Sequence, residues 1–326
     1  MSKIITEKKH LIRVPESKKP ERIDTYLTNH IENVTRTKIQ SAIKAGLVTV
    51  NNNKVKSNYI VKPLDEILVI QPISPRPEEV EPENIPLDII YEDENLLVVN
   101  KPAGMVAHPA YANYTGTLVN ALLHHTNKLS KVNENFRVGI VHRIDKDTSG
   151  LLIVAKDDYT HSKLAEQFAK HTIEREYQAV CWGKFSDWKG EISTKITRSK
   201  SDRKKFTISK TEGKEAITFY EVIEEFEFAS LLKLKLKTGR THQIRVHLSG
   251  IGKPVFGDRV YGGDKIVFGS ELPQMKARVN NLLNLMKRQA LHAKTLGFIH
   301  PINKVFMKFD SELPKDFQDL LYNLRK

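Results

Sequence analysis

The chain has 326 residues, with 52 Lys plus Arg against 39 Asp plus Glu, a net charge of +13 and a pI near 9.5. That length allows a sizeable core and suggests two domains, and the basic excess favours a polyanionic partner. The single cysteine, Cys181, excludes an intrachain disulfide and a multi-cysteine zinc site. No apolar run approaches the ~20 residues of a membrane span, and Met1–His10 lacks the apolar centre of a signal peptide, so a soluble, cytoplasmic protein with no membrane partner is expected.

In chain order, residues 1–20 are polar and are read as disordered. Residues 21–70 read as a small module. Thr35 is placed to cap a helix whose apolar positions Ile39, Ala42 and Ile43 follow i, i+3, i+4, and Gly46 is placed to end it. Arg36, Gln40 and Lys44 are spaced by four and form a polar stripe beside that face, with Lys38 nearby. Val48 and Val50 then alternate in a strand, and Asn51-Asn52-Asn53 makes a turn before Val55 begins the return. Residues 71–86 change character. Pro72, Pro75, Pro77, Pro82 and Pro86 accompany Glu78, Glu79, Glu81 and Glu83, which reads as a stiff acidic linker rather than a packed element.

A second domain is expected over residues 87–326. Leu96–Val99 reads as a strand, and Leu118, Ala121 and Leu122 mark a short helix. Asp157 or Asp158 caps the helix carrying Leu164, Ala165 and Phe168. Residues 174–182, 214–224 and 229–238 read as strands, the last with Leu232, Leu234 and Leu236 on one face and Lys233, Lys235 and Lys237 on the other. Phe317, Leu320, Leu321 and Leu324 give the C-terminus the stripe of an amphipathic helix. Many strands with few helices between them argue against a doubly wound parallel sheet. The twelve histidines show no metal-site spacing, so no metal is expected.

The most informative stretch is His142-Arg143-Ile144-Asp145-Lys146-Asp147-Thr148-Ser149-Gly150, between the apolar runs Val138–Val141 and Leu151–Ala155. Those runs read as buried strands, which makes the polar stretch a tight loop with Gly150 free to take an unusual backbone angle. On composition alone it is a charged turn. The literal string, however, resembles the catalytic-loop signature of the RluA family of pseudouridine synthases. That resemblance implies that Asp145 is the nucleophile and that Arg143 braces the space vacated by a flipped-out base.

Three further segments follow the family's order. Glu176-Tyr177-Gln178-Ala179-Val180 lies on a strand. Tyr177 alone would read as a strand aromatic, but the resemblance makes it the ring on which the target base stacks, worth ~1–3 kcal/mol. Gly239-Arg240-Thr241-His242-Gln243-Ile244-Arg245-Val246-His247-Leu248 suits a helix with Thr241 as cap and Ile244 and Leu248 on its apolar side. There the resemblance pairs Arg245 with Asp145, and an arginine within ~4–6 Å favours an ionised carboxylate. The tail Gly252–Asp258 continues the pattern. Arg288–Ala293, with Phe298–Pro301, is assigned to the wall of the site, and His292 is read as a satisfied, half-buried histidine.

Arg-Ile-Asp-x-x-Leu at 22–27, the basic helix and Ala45-Gly46-Leu47-Val48 together resemble the RNA-binding domain named after the fourth protein of the small ribosomal subunit. Arg36, Lys38 and Lys44 are thereby expected to face RNA. A loop at Lys200–Lys205, with Lys200, Arg203, Lys204 and Lys205, is a further candidate phosphate clamp.

The resulting expectation is an α+β protein, a small N-terminal α/β RNA-binding module followed by a larger catalytic domain on a mixed, largely antiparallel sheet with flanking helices. Its resemblance implies an isomerase that converts specific uridines of RNA, favoured in large-subunit ribosomal RNA with transfer RNA as the other candidate, as a monomer without a cofactor. Asp145 attacks the anomeric carbon or the pyrimidine ring, or abstracts a ribose proton to give a glycal, and the residues do not choose among these. Two competing classes are a non-enzymatic RNA-binding factor and a glycosidase using Asp145 and Asp147. The presence of Asp145, Tyr177 and Arg245 together speaks against the first, and the basic excess against the second.

Overall fold

Two units divide the chain, Met1–Pro77 and Glu78–Lys326, each with its own buried core. The computed structural model describes all residues except 1–5, 19, 32–33, 35, 74–78, 111–112, 134, 200–201, 203–204 and 270–271.

The first unit contains β1 (Thr6–Arg13), α1 (Ile23–His30), α2 (Arg36–Lys44), β2 (Val48–Val50), β3 (Asn53–Lys54) and β4 (Glu66–Ile73). Its sheet has the order β1-β4-β2-β3, with every pairing antiparallel. Ile23 and Leu27 of α1 pack with Ile39 and Ile43 of α2 over Val48, Val50, Ile67 and Val69. The i, i+4 pair on α2 is therefore buried as its spacing requires. Gly46 takes φ +74 just after α2, a conformation that costs glycine little. The Thr35 cap falls outside the described residues.

Two boundaries differ from the sequence reading. Residues 6–13 are a strand paired residue for residue with β4, not a disordered lead. Because β1 is an edge strand, solvent faces much of it and Leu11 is exposed, so the apolar alternation of a half-buried strand is missing. The acidic segment is also not a free linker. β4 extends into it as far as Ile73. Further on, Asn120 Nδ2 donates to Glu81 O at 2.7 Å, the Glu83 amide donates to Asn120 O at 2.9 Å, and the Gly116 amide donates to Glu83 Oε1 at 3.0 Å. Val80 and Leu87 pack on the second core. Backbone hydrogen bonds and two apolar anchors hold this proline-rich stretch without regular structure.

The second unit continues with β5 (Ile89–Glu92), β6 (Leu96–Lys101), α3 (Leu118–His125), β7 (Ser149–Ala155), α4 (Asp158–Ala169), β8 (Glu174–Trp182), β9 (Lys189–Arg198), β10 (Phe206–Ser209), β11 (Lys214–Glu225) and β12 (Ala229–Leu236). Then come α5 (Gln243–Gly250), α6 (Pro273–Leu285), β13 (Leu291–Ile299), β14 (Phe306–Asp310) and α7 (Lys315–Leu324). The strands form one sheet in the order β10-β9-β11-β12-β8-β13-β7-β6-β5, with β14 beside β13. Only the β13–β7 pairing is parallel among the described strands, so the sheet is mixed and largely antiparallel.

Asp157 caps α4, its carboxylate accepting from the Thr160 amide. On α7, Phe317, Leu320, Leu321 and Leu324 are all buried. The run Val138–Val141 is not a strand. It turns at Gly139 and meets β7 through an isolated bridge from Ile140 to Val154. The polar loop that follows leads straight into β7. There Gly150 has φ +116, and a Cβ would lie 2.2 Å from Ala293 O, so only glycine lets β7 and β13 approach this closely.

Candidate active site

The loop before β7, strand β8 and helix α5 converge on one cleft of about 570 Å³. Asp145, Tyr177 and Arg245 all line it, although 100 residues separate the first from the last. Arg245 Nη1 donates to Asp145 Oδ2 at 2.9 Å. The other oxygen, Oδ1, has His242 Nε2 at 3.8 Å, beyond hydrogen-bond reach. Asp145 is 17 % exposed and Arg245 5 %. The carboxylate is thus gripped on one oxygen and open to the cleft on the other.

The rest of the Arg245 fork belongs to a second carboxylate. Nε donates to Asp258 Oδ2 at 2.6 Å and Nη2 to Asp258 Oδ1 at 2.9 Å. Asp258 is fully buried and also accepts from the amides of Val260 and Tyr261. Burial opposes the Arg245 charge, but the bonds to Asp258 and Asp145 outweigh it and raise the guanidinium pKa. Arg245 thus pairs with Asp145 through a single bond, and its bidentate partner is Asp258.

Thr241 does not cap α5. The cap position is His242, in the left-handed region at φ +57, with no side-chain cap. Gln243 organises the turn instead. Its Oε1 accepts from the Arg240 amide and Thr238 Oγ1, while its Nε2 donates to Ile217 O and Thr218 Oγ1. This fully satisfied buried amide ties the start of α5 to β11. Further, His242 Nδ1 lies 2.9 Å from the Tyr261 hydroxyl, whose oxygen accepts from the Phe206 amide at 3.0 Å. Burial holds the His242 imidazole below its ordinary pKa, against the pull of Asp145.

Tyr177 sits on β8 with 7 % exposure, opposite Leu234 of β12 and Ala293 of β13. Burial raises its phenol pKa. The cleft wall beside it carries Phe168 and His142, whose ring centroids are 4.5 Å apart.

A family model described as RNA pseudouridylate synthase matches residues 95–250, and the S4 domain matches residues 21–67. An RNA pseudouridine synthase from Chlorobaculum parvum is 47 % identical, over 94 % of this chain and 94 % of that protein. A ribosomal large subunit pseudouridine synthase D from Zymomonas mobilis is 46 % identical, over 93 % of each. The solved structure of human RNA pseudouridylate synthase domain containing 4 aligns with a TM-score of 0.54 at 25 % identity, covering 73 % of this chain and 92 % of that one. The chain belongs to the RluA family of RNA pseudouridine synthases. It is accordingly an isomerase of RNA uridine.

In this synthase the loop that carries Asp145 is braced from behind. Buried Lys101 directs Nζ at the carbonyls of Pro102, Met105 and Lys146. Arg288 donates to Asp147 O at 3.0 Å while its fork holds Asp316 of α7. Gln289 Nε2 donates to Thr148 Oγ1. Of the run Arg288–Ala293, Leu291 lines the cleft, while Arg288 and Gln289 brace the loop from behind. His292 is satisfied as expected, between Ser149 Oγ and Ser311 Oγ at 2.9 Å each, and is wholly rather than half-buried.

Arg143 is exposed at the cleft mouth, where its Nη1 lies 3.4 Å from His108 Nε2. Lys205 ends the loop joining β9 to β10. Lys200, Arg203 and Lys204 lie outside the described residues. In the first unit, Arg36 Nε donates to Asp24 Oδ2 at 3.0 Å, a buried carboxylate that also accepts from Arg22 and Gln40. Arg36 thus has a structural partner as well as an exposed guanidinium edge. Lys38 is exposed on the same helix. Lys44 lines a shallow groove with Lys54 and Lys56.

Sequence reasoning missed Asp258, Tyr261, His108, Lys101 and Arg175. Only Asp258 stood inside a recognised motif tail, and nothing in its spacing pointed to Arg245. Among the described residues, no group of three or more His, Cys, Asp or Glu side chains could hold a metal ion. No helix among them is long and apolar enough to cross a membrane.

Proposed function

We propose that this synthase isomerises specific uridines of large-subunit ribosomal RNA, with Asp145 as nucleophile, Tyr177 as the stacking platform and Arg245 as the group that holds Asp145. The observation that carries this reading is the asymmetric carboxylate. Arg245 fixes Oδ2 at 2.9 Å, leaving Oδ1 open toward a cleft floored by Tyr177. An oriented carboxylate with one free oxygen suits covalent attack or proton abstraction on a nucleoside. A base inside a helix cannot reach such a cleft, so the uridine is flipped out first, and Arg143 at the mouth is positioned to brace the vacated space.

The ribosomal target is supported by relatives named for the large ribosomal subunit. The RNA-binding module, with Arg36, Lys38 and Lys44, supplies affinity, and Lys205 with its loop neighbours Lys200, Arg203 and Lys204 contacts phosphates. Asp145, Tyr177 and Arg245 line one cleft of a single chain, in keeping with action as a monomer, and the ribosomal target supports action in the cytoplasm. The test is tritium release from ribosomal RNA labelled at uridine carbon 5, followed by mapping of pseudouridine in RNA from a deletion strain. Release from ribosomal RNA but not transfer RNA is expected. Release from transfer RNA alone would overturn the substrate assignment.

A further inference from the structure

We infer that Arg175 binds the phosphodiester of the target nucleotide while Tyr177 stacks its base, an inference that rests on reading the cleft as a uridine site. Arg175 and Tyr177 are two residues apart on β8, so their side chains leave the same face of the strand, and both line the cleft. Two residues of strand span roughly 6.6 Å. A base and its own phosphate are separated by a comparable distance.

Three observations set Arg175 apart. Its Nε is buried and has no hydrogen-bond partner among the described residues. No described carboxylate pairs with it, although Glu174 and Glu176 flank it, because these pair outward with Lys308 and Lys235. Its guanidinium lies 5.3 Å from the Phe168 ring centroid, and a Cβ on Gly239 would sit 3.0 Å from its Nη1. The head group is thus fixed between an aromatic face and the turn that begins the Arg245 segment.

Stacking on Phe168 alone would explain the position but not the unpaired donor. The surrounding charge identifies what completes it. Among the described residues the cleft is lined by Arg143, Arg175, Arg240 and Arg245 against a single acid, Asp145, which Arg245 already engages. Arg240 is held by a backbone carbonyl, that of Glu215. The unmet need at Arg175 is for an anion with oxygens arranged for a planar fork, and in an RNA substrate that anion is a phosphodiester.

The experiment uses the full-length protein and a short RNA containing the mapped uridine. Each flanking phosphate is replaced in turn by an uncharged methylphosphonate, with a 2′-O-methyl sugar beside it to preserve the linkage. Wild type, Arg175→Met and Arg175→Lys are compared. Methionine keeps the packing over Phe168 without the charge. One methylphosphonate should weaken wild-type binding about ten- to a hundredfold. The same replacement should cost Arg175→Met nothing further, because the two changes remove one interaction. Arg175→Lys should regain part of the affinity and the salt dependence. Equal losses in wild type and Arg175→Met at every phosphate would overturn the proposal, as would a wild type indifferent to all of them. Tritium release by the wild type is read separately. Its absence would overturn the reaction assignment, whereas additive losses with release intact would overturn only the role of Arg175.

Discussion

Arg245 reaches Asp145 with one nitrogen, Nη1 at 2.9 Å, because its other two are committed to Asp258. A single guanidinium therefore spans a buried carboxylate and a cleft-facing one. The buried partner sets where the arginine points, and the arginine sets where the Asp145 carboxylate points.

Lysine cannot span both carboxylates. In Arg245→Lys the ammonium cannot reproduce the fork that Asp258 receives. Breaking a buried pair costs about 3–5 kcal/mol, so the variant should lose both thermal stability and turnover. Asp258→Asn should lower single-turnover rate on the order of a hundredfold, through misplacement of Arg245, while leaving RNA affinity close to wild type. Thermal melts, binding and single-turnover tritium release measure the three effects.

Tyr177→Phe should keep affinity, since the ring remains. If the hydroxyl serves proton transfer, turnover falls while binding holds. Tyr177→Ala should lose ~1–3 kcal/mol of base stacking and much of its turnover. Normal kinetics for the alanine variant would return Tyr177 to a packing role.

The separation of these roles from the sequence was uneven for physical reasons. Asp145 stood in a contiguous loop string and Tyr177 was singled out by the family resemblance, since its strand alone gave only an aromatic; the structure brings both to one cleft. The link from Arg245 to Asp258 was not legible, since it arises when the loop after α5 folds back beneath the helix. β1 was hidden because an edge strand needs no continuous apolar face. The segment 79–86 was misread because its prolines suggested stiffness, while its attachment depends on backbone groups and on Val80 and Leu87. Val138–Val141 was apolar enough for a strand, but Gly139 at φ +71 turns the chain.

The buried Asp24 predicts an acid-sensitive first unit. The Arg22 hydrogen bond holds its carboxyl well below the usual range, with Gln40 and Arg36 adding to the effect against the opposing pull of burial. A carboxyl depressed on folding adds stability above its unfolded pKa, about 3.9, and loses that stability as pH falls further. The unit's melting temperature should begin to fall below about pH 5 and keep falling below about pH 3, toward the depressed folded pKa, measured by heating at fixed pH. Asp24→Asn should be less stable at pH 7 and should show a flatter pH response. An unchanged response would remove Asp24 from the account.

A truncated protein should begin at Glu78, keeping Val80 and the Asn120 hydrogen bonds, rather than at Leu87. It should bind ribosomal RNA more weakly. Every phosphate that the missing module no longer neutralises should reduce the steepness of log K against log salt by ~0.7–0.9. With enzyme in excess it should still convert uridine. Unchanged affinity and slope would mean that Arg36, Lys38 and Lys44 do not meet this RNA.

The most direct measurement is single-turnover tritium release by Asp145→Asn beside its RNA affinity. The substitution keeps the shape and removes the charge that Arg245 Nη1 faces. Wild-type affinity is expected, with a rate lower by on the order of 10⁴-fold or more. Substantial turnover by asparagine protein shown by mass spectrometry to be free of deamidation would contradict it.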